Sequence, residues 1–290
     1  MKNFLIALSL FFFLNYSAQD YEWLKLNRFK STVLSDSLEE NSGLEFHRNK
    51  LYTFNDSGNT SEIFELDKDS GKIRKILQTN LKNIDWEAMA SDSINLYVGD
   101  IGNNSGKRKD LRIYQIPFRD SLHLNSIKSI FYFYPEQKIF VAHNLNTDFD
   151  AEALFYLNGK IHIFTKEWAS KSTTHYVIDP EITDNQPALK TEDYPIGYAV
   201  TDAAYFDQKL YLIGYTKKTE VFLSVFTESQ PGMFFQTKPE KYYLGSSLSV
   251  GQIEGIAVDE FGVYISGEEF VTPLGRSKPR LYFIPADRFR

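Results

Sequence analysis

The stretch Asp85-Trp86-Glu87-Ala88-Met89-Ala90, followed after a short turn by Asn95-Leu96-Tyr97-Val98-Gly99-Asp100, decides the fold. Each part has about six residues, the usual length of a β-strand, and the polar residues 91–93 between them are typical of a turn. Aromatic residues, mainly Tyr and Phe, make up 16% of the chain and favour strands over helices. The stretch therefore predicts a β-hairpin with an acidic residue near the start of its first strand.

The same pattern occurs five times along the chain. Each copy has a polar or acidic residue, a small residue, a short strand, a turn, and a second strand rich in Leu, Tyr and Val. The copies begin at Asn41, Asp85, Asp150, Thr201 and Ile253. Their spacing of roughly 45 to 65 residues is close to that of one four-stranded propeller blade. The sequence predicts an all-β, five-bladed β-propeller; six blades, with a degenerate one in residues 118–147, is the alternative.

Strand-like segments after each copy supply the outer strands of the blades. They lie at residues 61–66, 72–77, 111–116, 129–134, 174–178, 221–227 and 280–285, with weaker ones near Leu189 and Tyr242–Tyr243. The fifth copy lacks its outermost strand, and residues 23–33 form a strand-like segment ahead of the first copy. Pairing that segment onto the last blade would close the ring and cover its open edge. We therefore expect one propeller domain over residues 19–290.

The first residues have the pattern of an export signal. Lys2 precedes an apolar run at residues 4–14, and the small residues Ser17 and Ala18 follow it. This pattern predicts a signal peptide at 1–18 and a secreted or periplasmic protein after cleavage. No later stretch reaches the roughly 18 apolar residues of a membrane helix, so no membrane span is expected.

Composition excludes several classes of site and partner. The chain has no cysteine, which removes disulfides, thiolate nucleophiles and zinc–sulfur sites. Its net charge of -6 argues against nucleic-acid binding, because phosphate contacts need clustered Lys and Arg. We expect a monomer whose partner is a small-molecule or protein ligand at the rim of the propeller.

The repeated polar residue is the main candidate for a functional site. The innermost strand of each propeller blade lines the central channel, so a residue at the start of every innermost strand lies on one ring. The predicted ring consists of Ser42, Glu87, Glu152, Asp202 (or Thr201) and Glu254. The small residues that follow, which fit between blades, are Gly43, Ala88, Ala153, Ala203 and Gly255.

Carboxylates that converge on a narrow channel repel one another unless their pKa values rise or a cation binds. A central Ca²⁺ ion is predicted, because calcium accepts six to eight oxygen ligands in flexible geometry. The alternative is that these side chains only hydrogen-bond the backbone of the adjacent blade.

Further rim candidates follow the second strands. The acids are Asp56, Asp100, Glu167 and Glu268, and Trp86 is a candidate for stacking on a sugar or base. The glycine-rich loop 99–106, followed by Lys107, Arg108 and Lys109, could hold a phosphate or carboxylate through backbone amides and basic side chains.

The first two copies resemble the calcium-activated nucleotidase (apyrase) family. The resemblance lies in Ser42-Gly43-Leu44 through Asp56-Ser57-Gly58 and in Glu87-Ala88-Met89 through Gly99-Asp100. It implies a five-bladed propeller that cleaves nucleoside di- and triphosphates, with a central Ca²⁺ held by Ser42, Glu87, Glu152 and Glu254. The fourth copy departs from the family pattern, with Thr201-Asp202 where that family has Ser. Asp85-Trp86-Glu87 and residues 99–104 also resemble exported bacterial propellers, including phytase-like ones.

Two functions follow as expectations. The first is an exported calcium-binding propeller that binds a ligand or partner at the channel rim. The alternative is a Ca²⁺-dependent hydrolase of phosphoanhydride or phosphoester substrates. Hydrolysis needs basic groups over the ion, for which the candidates are Lys107, Arg108, Lys109, Lys166 and Arg276. An acidic channel with few fixed cations would repel a polyphosphate, which favours binding.

Overall fold

The computed structural model describes residues 20–119, 121–273 and 275–289. The predicted signal peptide, residues 1–18, lies outside the described residues.

The described strands follow the predicted hairpin pattern. Strands β1 (Glu22–Trp23) and β2 (Lys30–Val33) precede the repeats. Blade 1 consists of β3 (Asn41–His47), β4 (Lys50–Asn55), β5 (Glu62–Leu66) and β6 (Ile73–Gln78). Blade 2 consists of β7 (Trp86–Ser91), β8 (Asn95–Asp100), β9 (Arg112–Pro117) and β10 (Lys128–Phe133). Blade 3 consists of β11 (Ala151–Leu157), β12 (Lys160–Thr165), β13 (Thr173–Ile178) and β15 (Leu189–Tyr194). The short β14 (Gln186–Pro187), which lies between the last two in sequence, pairs parallel with β10 at the edge of blade 2.

The last two blades complete the order. Blade 4 consists of β16 (Ala199–Phe206), β17 (Lys209–Tyr215), β18 (Glu220–Thr227) and β19 (Glu240–Ser246). Blade 5 contains β20 (Gln252–Asp259), β21 (Gly262–Glu268) and β24 (Arg280–Pro285), with the hairpin β22 (Phe270–Thr272) and β23 (Gly275–Ser277) inserted. The helical pieces are single turns: 3₁₀ turns at Leu26–Arg28, Asp36–Leu38, Leu124–Ser126 and Ala286–Phe289, and α1 (Ser247–Val250). None of these described helices has the length and apolarity of a membrane span.

The five innermost strands form a closed ring. Each of β3, β7, β11, β16 and β20 contacts the next, and β20 contacts β3. Within each blade the consecutive strands pair antiparallel from the innermost outward. The described residues of the stretch 118–147 supply β10 and the connections on either side of it, and no separate blade. The predicted five-bladed β-propeller is therefore confirmed, and the six-bladed alternative is wrong.

The N-terminal segment closes the ring across two blades. Strand β2 pairs antiparallel with β24 and becomes the fourth strand of blade 5, as predicted. Strand β1 instead pairs parallel with β19 and extends blade 4. The predicted single strand is divided because Leu24 and Leu26 turn inward and pack in the core between these blades. The segment thus covers two exposed edges and links the first and last parts of the chain.

The apolar core is divided among the blade interfaces. The buried apolar side chains group into five clusters, one between each pair of neighbouring blades. Trp86 belongs to the cluster between blades 1 and 2 and is fully buried. Because the chain has no cysteine, the folded state depends on these interfaces and on polar contacts along the channel.

Every innermost strand has a β-bulge near its start, and the residue without a ladder partner is Gly43 in blade 1 but Glu87, Glu152, Thr201 and Glu254 in the other blades. Two residues of the strand lie opposite one residue of its partner, which bends the strand and re-aims the side chains. The pairs are Ser42–Gly43, Glu87–Ala88, Glu152–Ala153, Thr201–Asp202 and Glu254–Gly255. Gly43 takes a φ of 62°, a left-handed conformation that glycine adopts without strain. The bulges place one residue per blade at the channel end that we call the mouth.

Candidate functional site at the channel mouth

The first residue of each bulge defines what we call the bulge ring. Its members are Ser42, Glu87, Glu152, Thr201 and Glu254. Thr201, the predicted alternative, therefore holds the position in blade 4. Asp202 takes the second bulge position, where the other blades have Gly or Ala.

The two hydroxyl members of the bulge ring join neighbouring blades. Ser42 Oγ donates a hydrogen bond to the Glu87 carbonyl at 2.9 Å, and Thr201 Oγ1 donates to the Ile253 carbonyl at 2.8 Å. Each bond runs from one innermost strand to the next. Ser42 and Thr201 therefore hydrogen-bond the backbone of the adjacent blade, which is the alternative to metal binding.

Asp202 lies inside the channel wall, fully buried. Its carboxylate accepts hydrogen bonds from the backbone N–H groups of Ala203 at 2.8 Å, Ile256 at 2.7 Å and Leu44 at 3.3 Å. Burial raises the pKa of Asp202 well above its ordinary value, and these three N–H donors oppose the shift. One side chain thus joins blades 4, 5 and 1, and its oxygens are occupied by backbone donors.

The three carboxylates of the bulge ring are buried and act on one another electrostatically. Glu87, Glu152 and Glu254 are 4%, 2% and 6% exposed. Burial is the main cause that raises the pKa of each, and Glu152 further raises the pKa of Glu87 while Glu254 raises that of Glu152. These residues, far apart in sequence, therefore share one electrostatic environment.

Lys166 provides a buried positive charge in this environment. Its Nζ forms an ion pair with Glu152 Oε2, and both side chains are buried. Burial alone would lower the pKa of Lys166, but Glu152, Tyr215 and Glu254 outweigh it and raise the pKa well above its ordinary value. Lys166 in turn lowers the pKa of Glu152 and Glu254, against the effect of burial. Part of the acidic charge is thus neutralised by the protein itself.

The second strands contribute another ring of residues, which we call the second ring. These residues lie two positions beyond the bulge partner in each blade: Asp56, Ile101, Lys166, Tyr215 and Glu268. Asp56 and Glu268 are among the predicted rim acids. Burial, with contributions from Glu254 and other acids, raises the pKa of Asp56 to about 7 and that of Glu268 to about 9.

Asp100 comes one residue before Ile101, the second-ring residue of blade 2, and Glu167 comes one residue after Lys166, that of blade 3. Successive side chains of a strand point to opposite faces, so this offset turns them away from the channel. Asp100 pairs with Arg108 at 2.9 Å and Arg112 at 3.5 Å. Glu167 accepts hydrogen bonds from the hydroxyls of Thr165 at 2.8 Å and Thr174 at 2.6 Å.

Two further acids at the mouth were missed by the sequence analysis. Asp85 and Asp150 lie two residues before Glu87 and Glu152, so alternation places each pair on one face. The repeated Asp-x-Glu spacing was the signal that could have found them. Asp150 accepts bonds from the Asn103 backbone N–H at 2.6 Å and Trp168 Nε1 at 3.3 Å, and burial raises its pKa to about 6.

Asp85 completes a compact cluster of acids at the mouth, between blades 1 and 2. Oxygens of Asp56, Asp85 and Glu87 all lie within 4.8 Å of one another. A Cβ on Gly102 would lie 2.4 Å from both Asp85 Oδ2 and Glu87 Oε1, so only glycine fits beside these carboxylates. We call these three acids the mouth cluster.

On the other side of the mouth, the acids of blade 5 are held by neutral partners. Gln252 Nε2 donates hydrogen bonds to Glu254, at 2.7 Å, and to Glu268. Tyr215 donates its hydroxyl hydrogen to Glu254 Oε1 at 3.2 Å. Amide and phenol groups therefore stabilise this pair of acids.

The remaining basic and aromatic candidates are engaged or lie outside the mouth. Arg108 donates to the Gly102 carbonyl at 2.8 Å and thereby fixes the loop 99–106, whereas Lys107 is exposed. Arg276 pairs with Glu269 and Glu39 on the surface.

Trp86 donates Nε1–H to the Lys82 carbonyl and offers no surface for stacking on a ligand.

The raised pKa values predict that the protein loses stability as the pH increases. The pKa of Asp56 rises from 3.8 to about 7 on folding, and that of Glu268 rises from 4.5 to about 9. A raised folded-state pKa stabilises the fold fully below the unfolded value, and the contribution is lost as pH increases through the folded value. In chelator, we expect these two groups to lower the free energy of unfolding by several kcal/mol, up to about 8 kcal/mol, from pH 5 to pH 9.

Urea unfolding at several pH values measures this decrease. The variant Glu268→Gln lacks the carboxyl group with a pKa of about 9, so its free energy of unfolding should fall less between pH 7 and pH 9. A stability that stays constant or increases over this range would contradict the assignment.

Comparison with known proteins supplies no family. No protein-family model matches the sequence, and no curated protein matches it. The fold is similar to many solved structures. One is a putative oxidoreductase (glucose dehydrogenase) from Thermus thermophilus, 10% identical over 88% of this chain and 100% of that chain, with a TM-score of 0.44. A second is Kuenenia stuttgartiensis hydrazine synthase, 11% identical over 88% of this chain and 68% of that chain, with a TM-score of 0.43.

A third similar structure is a chain of a mitotic checkpoint complex, 12% identical over 83% of this chain, with a TM-score of 0.39. This protein spans 62% of that chain, less than two thirds of its length. At such identities and scores the similarities carry no argument about activity. The expected kinship with apyrases or phytase-like propellers has no support among these comparisons. The class that the fold defines is the β-propeller.

Proposed function

We propose that this protein is an exported β-propeller that binds a calcium ion at the mouth cluster and a ligand at the surrounding rim. The observation that supports the ion is the approach of three carboxylate side chains, Asp56, Asp85 and Glu87, to within 4.8 Å. Export rests on the sequence of residues 1–18 alone.

A divalent cation relieves the repulsion within the mouth cluster. The three acids would otherwise have to bind protons, because burial raises the pKa of each and repulsion from neighbouring acids adds to the shift. Calcium suits carboxylate oxygens and completes its six to eight ligands with carbonyl groups, waters or a bound molecule. Magnesium requires near-ideal octahedral geometry at shorter distances, which three acids from two blades satisfy less readily.

The proposed site differs from the predicted central ring but shares Glu87 with it. Ser42 and Asp202 direct their oxygens to backbone partners, and Glu152 pairs with Lys166. Glu254 accepts hydrogen bonds from Gln252 and Tyr215. Because these acids already have partners, an ion would stabilise the protein most at the mouth cluster on blades 1 and 2. The coordination positions of the ion that the protein does not fill would face the mouth.

Binding is favoured over phosphate hydrolysis by the positions of the cations. A hydrolase would need basic side chains directed at a phosphoryl group over the ion. Arg108 is occupied by Asp100 and the Gly102 carbonyl, and Lys166 by Glu152. The charge near the mouth cluster is therefore mainly negative, which opposes a polyphosphate.

Calcium titration by calorimetry, after removal of metal with chelator, tests the ion site. We expect one ion per chain with a dissociation constant below about 1 mM, and a melting temperature that rises with calcium. Glu87→Gln should weaken binding by at least about tenfold, because it removes a charged ligand. Asp69→Asn, which changes an exposed acid on blade 1, is the matched control and should leave binding unchanged.

Absence of binding, or equal binding by Glu87→Gln and the parent protein, would remove the mouth cluster as a calcium site. Calcium-dependent release of phosphate from nucleoside diphosphates or phytate would instead support the hydrolase alternative.

A further inference from the structure

A second concave site lies at the same end of the propeller, between blades 3 and 4. It is a pocket of about 240 Å³ whose lining includes Trp168, Tyr198 and Ala199. Trp168 follows β12, and its indole N–H donates to Asp150 at the mouth. The Lys166 ammonium lies 5.0 Å from the Trp168 ring centroid. The aromatic wall of the pocket is therefore fixed to the channel, and the pocket opens beside the mouth.

Positive charge surrounds this pocket although the chain as a whole is acidic, with a net charge of -6. Lys171, Lys217 and Lys218 line it. Within the described parts of the chain none of these three amines forms an ion pair, although Lys217 lies 5.7 Å from the Trp168 ring.

The acids that line the pocket already have hydroxyl partners. Glu167 accepts bonds from Thr165 and Thr174, and Glu220 accepts one from Thr216 at 3.1 Å. These hydroxyl donors leave both carboxylates charged, so the charged side chains of the lining sum to +1, and an external anion can pair with the three ammonium groups.

We propose that this pocket binds a small ring-shaped carboxylate. A half-exposed indole offers a flat apolar face for a sugar or aromatic ring, and ammonium groups at the edge form charge-assisted hydrogen bonds with a carboxylate. The exposed side chain of Lys217 can move from the indole face to the carboxylate when the ring binds. Sugar acids and aromatic acids share this chemistry, and the volume suits a single ring rather than a polymer.

The inference rests on the proposed function in that it names the class of the rim ligand. The pocket is nevertheless built by blades 3 and 4, whereas the mouth cluster lies on blades 1 and 2. Ion binding and acid binding can therefore be tested separately on the same protein.

Calorimetric titration with galacturonate and with benzoate, each in calcium and in chelator, tests the pocket. Galactose and benzamide are the neutral counterparts. We expect at least one acid to bind with a dissociation constant below about 1 mM, and its neutral counterpart to bind at least about tenfold more weakly. The preferred acid then distinguishes a sugar ligand from an aromatic one. The double variant Lys217→Gln/Lys218→Gln should weaken acid binding by about tenfold, whereas Lys30→Gln, which changes an exposed lysine of β2, should not.

Failure of both acids to bind, equal binding of acids and neutral counterparts, or an unchanged affinity in the double lysine variant would each overturn the inference. Calcium binding without acid binding would overturn it while leaving the mouth cluster intact. Acid binding in chelator by a protein that binds no calcium would support the pocket and remove the ion site. Because both lysines are exposed, the double variant is expected to fold.

Discussion

Lys166→Met is expected to lower the free energy of unfolding by about 3–5 kcal/mol near neutral pH, because removing one partner of a buried ion pair leaves the other charge uncompensated. Lys166 and Glu152 are both buried, and Lys166 also opposes the rise in the pKa of Glu254 and Asp150. Without the ammonium these carboxyl groups must bind protons or remain as unpaired charges. The effect should therefore shrink as the pH falls and the acids become protonated.

Urea unfolding of the parent and the variant in chelator measures this loss. The double variant Lys166→Met/Glu152→Gln should regain at least about 1 kcal/mol, because it removes the unpaired charge along with its partner. Lys30→Met is the matched control, because Lys30 forms an exposed ion pair with Asp69. This substitution should change the free energy of unfolding by less than about 1 kcal/mol. If Lys166→Met lost no more free energy of unfolding than this control, the acids at the mouth would not depend on Lys166.

The sequence was sufficient to predict the fold because the same hairpin occurs five times. One copy is an ambiguous pair of short apolar strands, but five copies at blade-like spacing leave few alternatives. The convergence of Glu87, Glu152 and Glu254 followed directly, since equivalent positions of equivalent blades meet around one axis. The same reasoning predicted that residues 23–33 close the ring on the last blade, and residues 30–33 do so. The parallel addition of Glu22–Trp23 to blade 4 depends on tertiary packing of Leu24 and Leu26.

The chemistry of the mouth was harder to predict because it depends on register to within one residue. Asp100 and Glu167 each follow or end a second strand, as Asp56 and Glu268 do, yet an offset of one position turns their side chains away from the channel. The position of Lys166 as the counter-charge could not be predicted, because single-residue exceptions to a repeat carry no periodic signal. Counting positions from each bulge would have aligned Asp56, Lys166 and Glu268.

Asp202→Ala is expected to cost about 3–9 kcal/mol of folding free energy, since it leaves three buried backbone N–H groups without an acceptor at about 1–3 kcal/mol each. These donors belong to Ala203, Ile256 and Leu44, so the loss falls on blades 4, 5 and 1 together. Asp202→Asn keeps one acceptor oxygen and should lose roughly half as much.

Urea unfolding of both Asp202 variants measures the role of this residue. Asp69→Ala, which removes an exposed acid, should change stability by no more than about 0.5 kcal/mol. Where Asp202→Ala does not fold, the Asn variant supplies the measurement. Asp202 replaces the small residue found at this position in the other four blades, and it joins three of the five innermost strands. A loss below about 1 kcal/mol in either variant would mean that ring closure depends on the apolar interfaces and not on this carboxylate.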